Sequence, residues 1–208
     1  IVISTLKFQE KSLIVKCFTQ SHGLKSYFVR NAFSGKKNNQ KIAYFQPLSI
    51  LEIEAVHKNK GTLEHFKENK TAIPFQTIHL DIVKSTMVLF LSEILHHAIH
   101  EEEQNEDLFK YLETALQWLD THNETSNFHL ILMLEITKFL GFYPDTSDQD
   151  LPFFEMNEGV FSLFQAISCL SEHESFLLKK LIDLRLDSDQ KVFHIIERQI
   201  LLKILIDY

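Results

Sequence analysis

The chain has 208 residues, of which 45% are apolar, and its formal net charge at pH 7 is −7. With only five Gly and four Pro, this composition excludes a disordered or fibrous protein and allows one or two ordinary hydrophobic cores. Lys, Glu or His interrupts every long apolar run, so we expect no transmembrane helix and no secretory signal. Cys17 and Cys169 form no Cys-x-x-Cys pair, which favours a reduced, cytoplasmic protein without a structural metal.

The charge is distributed unevenly along the chain. Residues 1–60 carry ten Lys or Arg against three Glu, a net charge of +7, whereas residues 61–208 carry eleven against twenty-five acids, a net charge of −14. Because charge of this kind steers association, the pattern suggests that the first part contacts a polyanion and the second contacts proteins. The alternative is that the basic loops are only solvated faces.

The first part of the chain has the alternating pattern of short strands. Four are predicted, in IVISTL, SLIVKCFT, LKSYFVR and the run after Pro47, with TLEHFKEN as a fifth. In the second, Leu13, Val15 and Cys17 share one face, and Gly23 fits a tight hairpin turn.

The strand near Pro47 follows the lysine-rich loop SGKKNNQK. Proline cannot donate to a sheet ladder, so Pro47 is expected at a strand start, an edge or a bulge. The next residues alternate with period two, which predicts a half-buried strand with Leu51, Ile53 and Ala55 on one face and Glu52 and Glu54 on the other.

These five strands within about 70 residues indicate a small closed barrel. The OB-fold is the barrel of this size that most often binds nucleic acid, and the pattern leaves an SH3-like barrel open. We therefore predict an α+β multidomain protein, with an N-terminal OB-fold barrel over residues 1–70 and an all-α domain over residues 71–208.

From Ile78 onward the apolar spacing becomes helical and predicts five or six helices. Gly141 is a candidate C-cap, and Ser171 and Glu174 have capping-box spacing. The first helix is predicted to bury a broad apolar face that includes Ile78, Ile82, Leu89, Ile94 and Ala98.

Catalytic and metal-binding patterns are incomplete. Glu93 and His96 have the spacing of a di-iron helix, and His96 and His100 that of two metal ligands, but a di-iron site needs a second such pair plus two further Glu, and the predicted helices contain no other Glu-x-x-His. Ser34 to Lys37 match Ser-x-x-Lys without the other elements of serine acyl-enzymes. We predict neither an enzyme nor a metal site.

Two short stretches carry a family resemblance. Cys17-Phe18-Thr19 leads to a Gly turn at Gly23, a basic strand and loop follow, and Phe45-Gln46-Pro47-Leu48 opens the next strand. Together with the helical segments LFLSEILHHAIHEEEQNEDLFKYLETALQWLD and FHLILMLEITKFLGFYPD, this order resembles the RecO family of bacterial DNA-repair recombination mediators, particularly Bacteroidetes-type members.

The resemblance implies a protein that binds single- and double-stranded DNA and anneals complementary strands. It also implies that, with RecR, the protein helps load RecA onto strands coated by single-stranded-DNA-binding protein, without hydrolysis. In place of the family's Lys-Gly-Ala, this chain has Arg30-Asn31-Ala32, and Asn also tolerates a left-handed backbone. The zinc-binding cysteines of many members are absent after the third helix, so no zinc is expected, and Asn127 replaces a basic residue of some members.

The candidate DNA-binding residues lie in the strand-loop-strand around SGKKNNQK. Binding of a single strand on an OB barrel uses a positive groove and aromatic side chains on which bases stack. The cations are Arg30, Lys36, Lys37 and Lys41, flanking Phe28, Phe33 and Tyr44, and the groove would extend along Lys7, Lys16 and Lys25 if these share a face. The alternative for each aromatic is a place in the barrel core.

The acidic helical domain offers a candidate peptide site instead. Phe139 and Phe142 could form an apolar groove, with Lys138 as counter-charge, for the acidic tail of single-stranded-DNA-binding protein. The alternative is that both phenylalanines pack inward. For the whole chain, the competing function is an OB-fold protein-interaction adaptor without direct DNA contact.

Overall fold

The protein has a mixed α/β structure, in which N-terminal strands precede the helices. The computed structural model describes residues 1–33, 42–58, 63–100, 104–188 and 191–208. These residues form two compact units, Ile1–His122 and Asn123–Tyr208. The first unit includes the five N-terminal strands and the helices that follow them, so its end does not correspond to the boundary predicted at residue 70. That boundary remains a prediction.

All five predicted strands are present in the first unit. Strands β1 (Val2–Phe8), β2 (Ser12–Thr19) and β3 (Gly23–Val29) form an antiparallel sheet in that order. Strands β4 (Ile50–Ala55) and β5 (Phe66–Ile73) form a second antiparallel sheet. Gly23 has a φ of 62°, which confirms the predicted turn before β3.

One face of each sheet supplies the core of the strand region. Leu13, Val15 and Cys17 are buried together with Tyr27 and other apolar side chains, as the alternation in β2 predicts. On β4, Leu51 belongs to the same cluster, and Ile53 and Ala55 pack against it. Their neighbours point outward, where Glu52 pairs with Lys70 and Glu54 with Lys67.

Backbone hydrogen bonds connect both edges of the three-stranded sheet to the segments that lead into the second sheet. On the β1 side, the Val2 amide donates to the Ser49 carbonyl and the Leu48 amide donates to the Val2 carbonyl, each at 2.9 Å. On the β3 side, the Phe28 amide donates to the Glu64 carbonyl at 2.8 Å, and the Glu64 amide donates to the Ser26 carbonyl at 2.9 Å.

The approach to β4 agrees in part with the prediction. Pro47 lies in a turn ahead of the strand, which begins only at Ile50. Leu48, which is fully buried, has a φ of 58°, a left-handed conformation that is unusual for leucine. The pairing register shifts between Ile50 and Leu51, so a strand irregularity does follow the turn.

After the five strands, the described part of the first unit contains the long helices α1 (Ile82–Ala98) and α2 (Glu106–Thr121). The predicted apolar face is wrong in part: Ile78, ahead of α1, is buried, but the side chains of Ile82 and Leu89 are 80% and 60% exposed. The helix instead buries a stripe of Lys84, Val88, Leu91, Ser92 and Leu95.

Lys84 explains why α1 turns a different face inward. Its Nζ donates to the Thr77 hydroxyl at 2.7 Å and to the Asp120 carbonyl at 3.1 Å, so the buried charge is hydrogen-bonded. The Asp120 carboxylate in turn accepts from the amides of Gln76, Thr77 and Ile78. This polar network fastens the segment after β5 to the end of α2.

The second unit contains α3 (Phe128–Leu140), α4 (Glu172–Ile182) and α5 (Ile195–Asp207). Gly141 ends α3 with a φ of 86°, and Ser171 and Glu174 form a capping box at the start of α4, so both predictions are confirmed. The three helices pack around one apolar cluster.

A hairpin of β6 (Phe153–Glu155) and β7 (Val160–Ser162) also belongs to the second unit and was not predicted. It contributes Phe154 and Phe161 to the apolar cluster. Within the described residues, no helix of the protein has the length and apolar character needed to cross a membrane.

Candidate nucleic-acid interface

The three-stranded sheet has an outer face opposite the core. Cross-strand partners share a face, and the buried pair Val15 and Tyr27 alternates with pairs that point the other way. The outward pairs include Ile14 with Phe28 and Leu6 with Ile14. This outer face is therefore apolar as well as the inner one.

Three rings on the outer face form what we call the outer aromatic cluster: Phe8, Phe28 and His65. The centroids of Phe8 and Phe28 are 6.0 Å apart with an interplanar angle of 85°, and those of Phe28 and His65 are 5.8 Å apart at 88°. His65 is exposed and Phe28 half-buried, while Phe8 is 39% exposed beside Leu6 at 64%. Edge-to-face contacts hold the rings in place without stacking them on each other.

Helices cover the other end of the same face. Phe18 is buried against Phe109 of α2, with ring centroids 6.1 Å apart. The Ser4 hydroxyl lies 3.3 Å from Nδ1 of His96 near the end of α1. The accessible part of the outer face is thus the end that carries the outer aromatic cluster.

Cations border this face, and an acid-free stretch of the chain includes two of its three strands, β2 and β3. Residues 11–51 contain no Asp or Glu but seven Lys or Arg. Lys16, which pairs with Ser26, lies on the outer face, and Arg30 is exposed directly after β3. A polyanion that approaches the outer face therefore meets the positive charges of Lys16 and Arg30.

The other predicted cations are placed differently. Lys7 pairs with Leu13 and Lys25 with Cys17, so both lie on the side of the core-facing residues, not beside Lys16. Lys7 reaches over the rim, where its Nζ lies 5.4 Å from the centroid of Phe33. Lys36, Lys37 and Lys41 lie outside the described residues.

The three predicted aromatics are all accessible to some degree. Phe33 is 40% and Tyr44 39% exposed, and only Phe28 belongs to the outer aromatic cluster. Asn31 has a φ of 56°, which confirms that asparagine adopts a left-handed conformation between Arg30 and Ala32. Sequence reasoning missed Phe8 and His65, although Leu6 and Phe8 alternate with Thr5 and Lys7 in β1.

A cavity of about 370 Å³ in the first unit is lined by two histidines and a tyrosine, among other residues. The Tyr27 hydroxyl lies 2.8 Å from Nε2 of His57, whose ring centroid is 4.4 Å from that of His22. Burial and the neighbouring His22 lower the pKa of His57, so the neutral ring is favoured. The hydrogen bond to Tyr27 suits a structural role for His57.

The helical His and Glu spacing does not assemble a metal site. Nε2 of His97 lies 3.0 Å from a Glu93 oxygen, whereas His96 turns towards Ser4. Within the described ranges, no group of three His, Cys, Asp or Glu side chains could hold a metal ion.

The candidate peptide site of the second unit is partly open. Phe142 is 44% exposed, with its ring 5.7 Å from that of Tyr208, and Phe139 is half-buried. The Nζ of Lys138 lies 2.7 Å from a Glu135 oxygen and 4.4 Å from the centre of the Tyr143 ring. A carboxylate that binds Lys138 would have to compete with Glu135.

These features define a class of protein. The short strands of the first unit expose aromatic and cationic side chains, and helices and an acidic second unit follow them. A basic, aromatic surface of this kind is typical of proteins that bind nucleic acid. Residues 1–75 match the family model described as Recombination protein O N terminal, and residues 79–184 match Recombination protein O C terminal. The chain therefore belongs to the RecO family, a family of DNA repair and recombination proteins.

Relatives from several bacteria agree. DNA repair protein RecO of Flavobacterium johnsoniae is 74% identical over 208 residues, which cover 100% of this chain and 88% of the relative. The proteins of the same name from Flavobacterium psychrophilum and Christiangramia forsetii are 71% and 40% identical, over 100% and 92% of this chain and 88% and 81% of theirs. The names of these relatives state DNA repair and no catalytic activity.

Proposed function

We propose that this protein is a recombination mediator that works by binding rather than by catalysis. It binds single- and double-stranded DNA, anneals complementary strands and, with RecR, helps load RecA onto strands coated by single-stranded-DNA-binding protein. Its place of action is the cytoplasm, at the nucleoid. The observation that carries the proposal is the open outer face with its aromatic rings and bordering cations, in a domain of the RecO family.

We also propose that the N-terminal strands form an OB-fold barrel. Strands β4 and β5 pair with each other, and the segments before them are hydrogen-bonded to β1 and β3. In the proposed barrel the strand order is β1-β2-β3-β5-β4, with β4 next to β1. A five-stranded arrangement of this kind presents the face of its second and third strands to ligands.

The principal phosphate contacts are proposed to come from Arg30, Lys36, Lys37 and Lys41. Each contact to a single strand releases counterions and should add about 0.7 to the magnitude of the log–log salt slope. Replacing Lys36, Lys37 and Lys41 by Ala should therefore reduce the slope by about 2, with similar weakening on every sequence. Fluorescence anisotropy of a labelled oligonucleotide at increasing salt measures this slope.

Lys67 and Lys70 supply the control, because both are exposed but already paired with Glu54 and Glu52. Their replacement by Ala should change the slope less than replacement of the loop lysines. A triple variant with unchanged melting and an unchanged slope would place the DNA path elsewhere. Failure of the unaltered protein to bind any oligonucleotide at low salt would favour the protein-interaction adaptor.

A second proposed site, for the acidic tail of single-stranded-DNA-binding protein, includes Lys138, Phe139 and Phe142. The exposed ring of Phe142 supports it, as does the position of Lys138 in the last turn of α3. The variant Phe142→Ala should weaken binding of a labelled acidic peptide that ends in an aromatic residue. Unchanged peptide affinity in a folded variant would remove this site from the proposal.

A further inference from the structure

The segment that follows β7 exposes large apolar side chains in acidic surroundings. Leu163, Phe164 and Ile167 lie in this segment, which we call the apolar loop (residues 163–168), and each is more than half exposed. We propose that the apolar loop is a docking surface for a cationic amphipathic segment of a partner protein. This inference goes beyond the proposed function, because it involves neither DNA nor the strands of the first unit.

Exposure of the apolar loop is the first argument. The neighbouring hairpin turns Phe154 and Phe161 into the apolar cluster of the second unit, whereas the loop directs its large side chains to solvent. Single exposed apolar residues are common on protein surfaces and need no explanation. Three within five residues form a patch, and patches of this kind mark interaction sites.

Hydrogen bonds fix the backbone at both ends of the apolar loop. At its start, the Ser162 hydroxyl accepts from the Phe164 amide at 3.2 Å and donates to the Phe164 carbonyl at 3.1 Å. At its end, the Met156 amide donates to the Ser168 carbonyl at 3.1 Å. The side chains are therefore presented by a defined backbone, and a partner does not have to bear the entropy cost of ordering a free segment.

The charge around the apolar loop is negative. Residues 139–178 contain seven acids and no Lys or Arg. The Glu155 carboxylate accepts hydrogen bonds from the side chain of Ser168, the last residue of the loop, and from the Glu158 amide. These hydrogen bonds lower the pKa of Glu155, so a fixed negative charge lies beside the loop.

This charge determines the chemistry of the occupant. Acids repel a phosphate chain, and they also repel the acidic tail considered for Phe142. The next cation along the chain, Lys179, donates to the Leu151 carbonyl at 2.6 Å and is thus turned away from the loop acids. A segment that places Lys or Arg on either side of large apolar residues complements both the patch and its charge.

Three labelled peptides of equal length test the docking surface. In the first, Lys and Leu are spaced so that the leucines share one face of a helix. The second has Ser in place of Leu, and the third has Glu in place of Lys. When titrated with the whole chain by fluorescence anisotropy, only the Lys–Leu peptide should bind, and its affinity should fall as salt rises because the acids are exposed.

The double variant Phe164→Ser and Ile167→Ser removes the apolar contacts and keeps every acid. It should bind the Lys–Leu peptide at least about tenfold more weakly, since burial of one large apolar side chain contributes about that much to affinity. Its melting should stay unchanged because both side chains are exposed. Phe176→Ser is the matched control: Phe176 is exposed in the same unit, but its ring lies 5.8 Å from Nζ of Lys180, so the peptide affinity should persist.

Two results would overturn the docking surface. Equal binding of the Lys–Leu and Lys–Ser peptides would show that the acids attract any cation, and unchanged affinity in the folded double variant would place the apolar contact elsewhere. Self-association of the unaltered protein that the double variant abolishes would assign the apolar loop to a contact between two copies instead. None of these results depends on DNA, so the proposed function stands or falls separately.

Discussion

The two compact units both expose apolar side chains, but in opposite electrostatic surroundings. In the first unit, Leu6 and Phe8 are exposed on strands next to a long acid-free stretch. In the second, Leu163, Phe164 and Ile167 are 58%, 78% and 107% exposed after β7, within residues 139–178, which contain seven acids and no Lys or Arg. Similar apolar surfaces thus suit different ligands, because a phosphate chain is attracted to one and repelled by the other.

The interiors of the units differ as well. The first depends on a buried polar network, in which Asp120 accepts backbone hydrogen bonds and Lys84 is nearly enclosed. The second depends on a continuous apolar cluster, beside which the half-buried His129 titrates. The two units should therefore lose stability through different substitutions.

The largest expected effect is the loss of the Asp120 carboxylate. The variant Asp120→Ala leaves three backbone amides without their charged acceptor, at about 1.5 kcal/mol each, or about 4.5 kcal/mol in total. Trp118, the only tryptophan of the chain, lies in α2 and reports urea unfolding of this unit by fluorescence. The exposed acid Asp107 of the same helix is the control, and Asp107→Ala should cost less than about 1 kcal/mol. Equal effects of the two variants would contradict the network.

Acid should weaken the second unit through His129. Burial, with a smaller contribution from Arg198, lowers the pKa of His129 from 6.5 to about 4. Because the folded state disfavours the charged ring, the unit is most stable above pH 6.5 and loses about 1.4 kcal/mol per pH unit down to pH 4, or about 3 kcal/mol. Hydrogen exchange of the α3 amides at several pH values measures this loss.

The variant His129→Leu should remove that pH dependence, and an unchanged profile would assign it to another group.

The pKa of Asp120 in the first unit is also lowered from its ordinary value of 3.8. Burial opposes ionisation of this carboxyl, but the hydrogen bonds from Gln76, Thr77 and Ile78 outweigh burial. A carboxylate whose pKa is lowered by folding stabilises the fold at pH values above its ordinary pKa. This contribution is lost only as the pH falls through the pKa of the folded state. Between pH 6.5 and 4, the first unit should therefore keep the contribution of Asp120.

A smaller effect is expected from single lysines on the two surfaces. Lys16→Ala should lower the magnitude of the salt slope for a single-stranded oligonucleotide by about 0.7, the value of one phosphate contact. Lys203→Ala, which removes an exposed lysine from the acidic second unit, should leave the slope unchanged. Equal slopes for both variants would show that Lys16 makes no phosphate contact.

The smallest effect is expected at Phe164. Because its side chain is 78% exposed, Phe164→Ser should change the free energy of unfolding by less than about 0.5 kcal/mol. Oligonucleotide affinity should also stay the same, since the surrounding acids repel phosphates. A loss of DNA binding in this variant would contradict the proposal that only the apolar surface of the first unit attracts phosphates.

Period and capping signals predicted much of the fold. The five strands, the Gly141 cap and the capping box at Ser171 follow from local sequence, where each residue type has a local physical reason. The hairpin β6–β7 was missed because strands of three residues are too short to show a period.

Other features depend on contacts that are distant in sequence. The inward face of α1 was mispredicted because Lys84 meets Thr77 and Asp120, and hydropathy alone places a lysine outside. The outer aromatic cluster was missed because both faces of β1 to β3 are apolar, so alternation does not reveal which face is the core. His65 joins Phe28 only through the pairing of Glu64 with β3.

The hydrogen bonds at the two edges of the first sheet have a consequence for synthesis and solubility. Ser49 and Glu64, which cover β1 and β3, leave the ribosome only after all three strands. Until then, both edges offer free amides and carbonyls to other chains, and uncovered edges of this kind promote aggregation. A fragment that ends before Leu48 should therefore be prone to form intermolecular β-structure, whereas one that extends through β5 should stay dispersed.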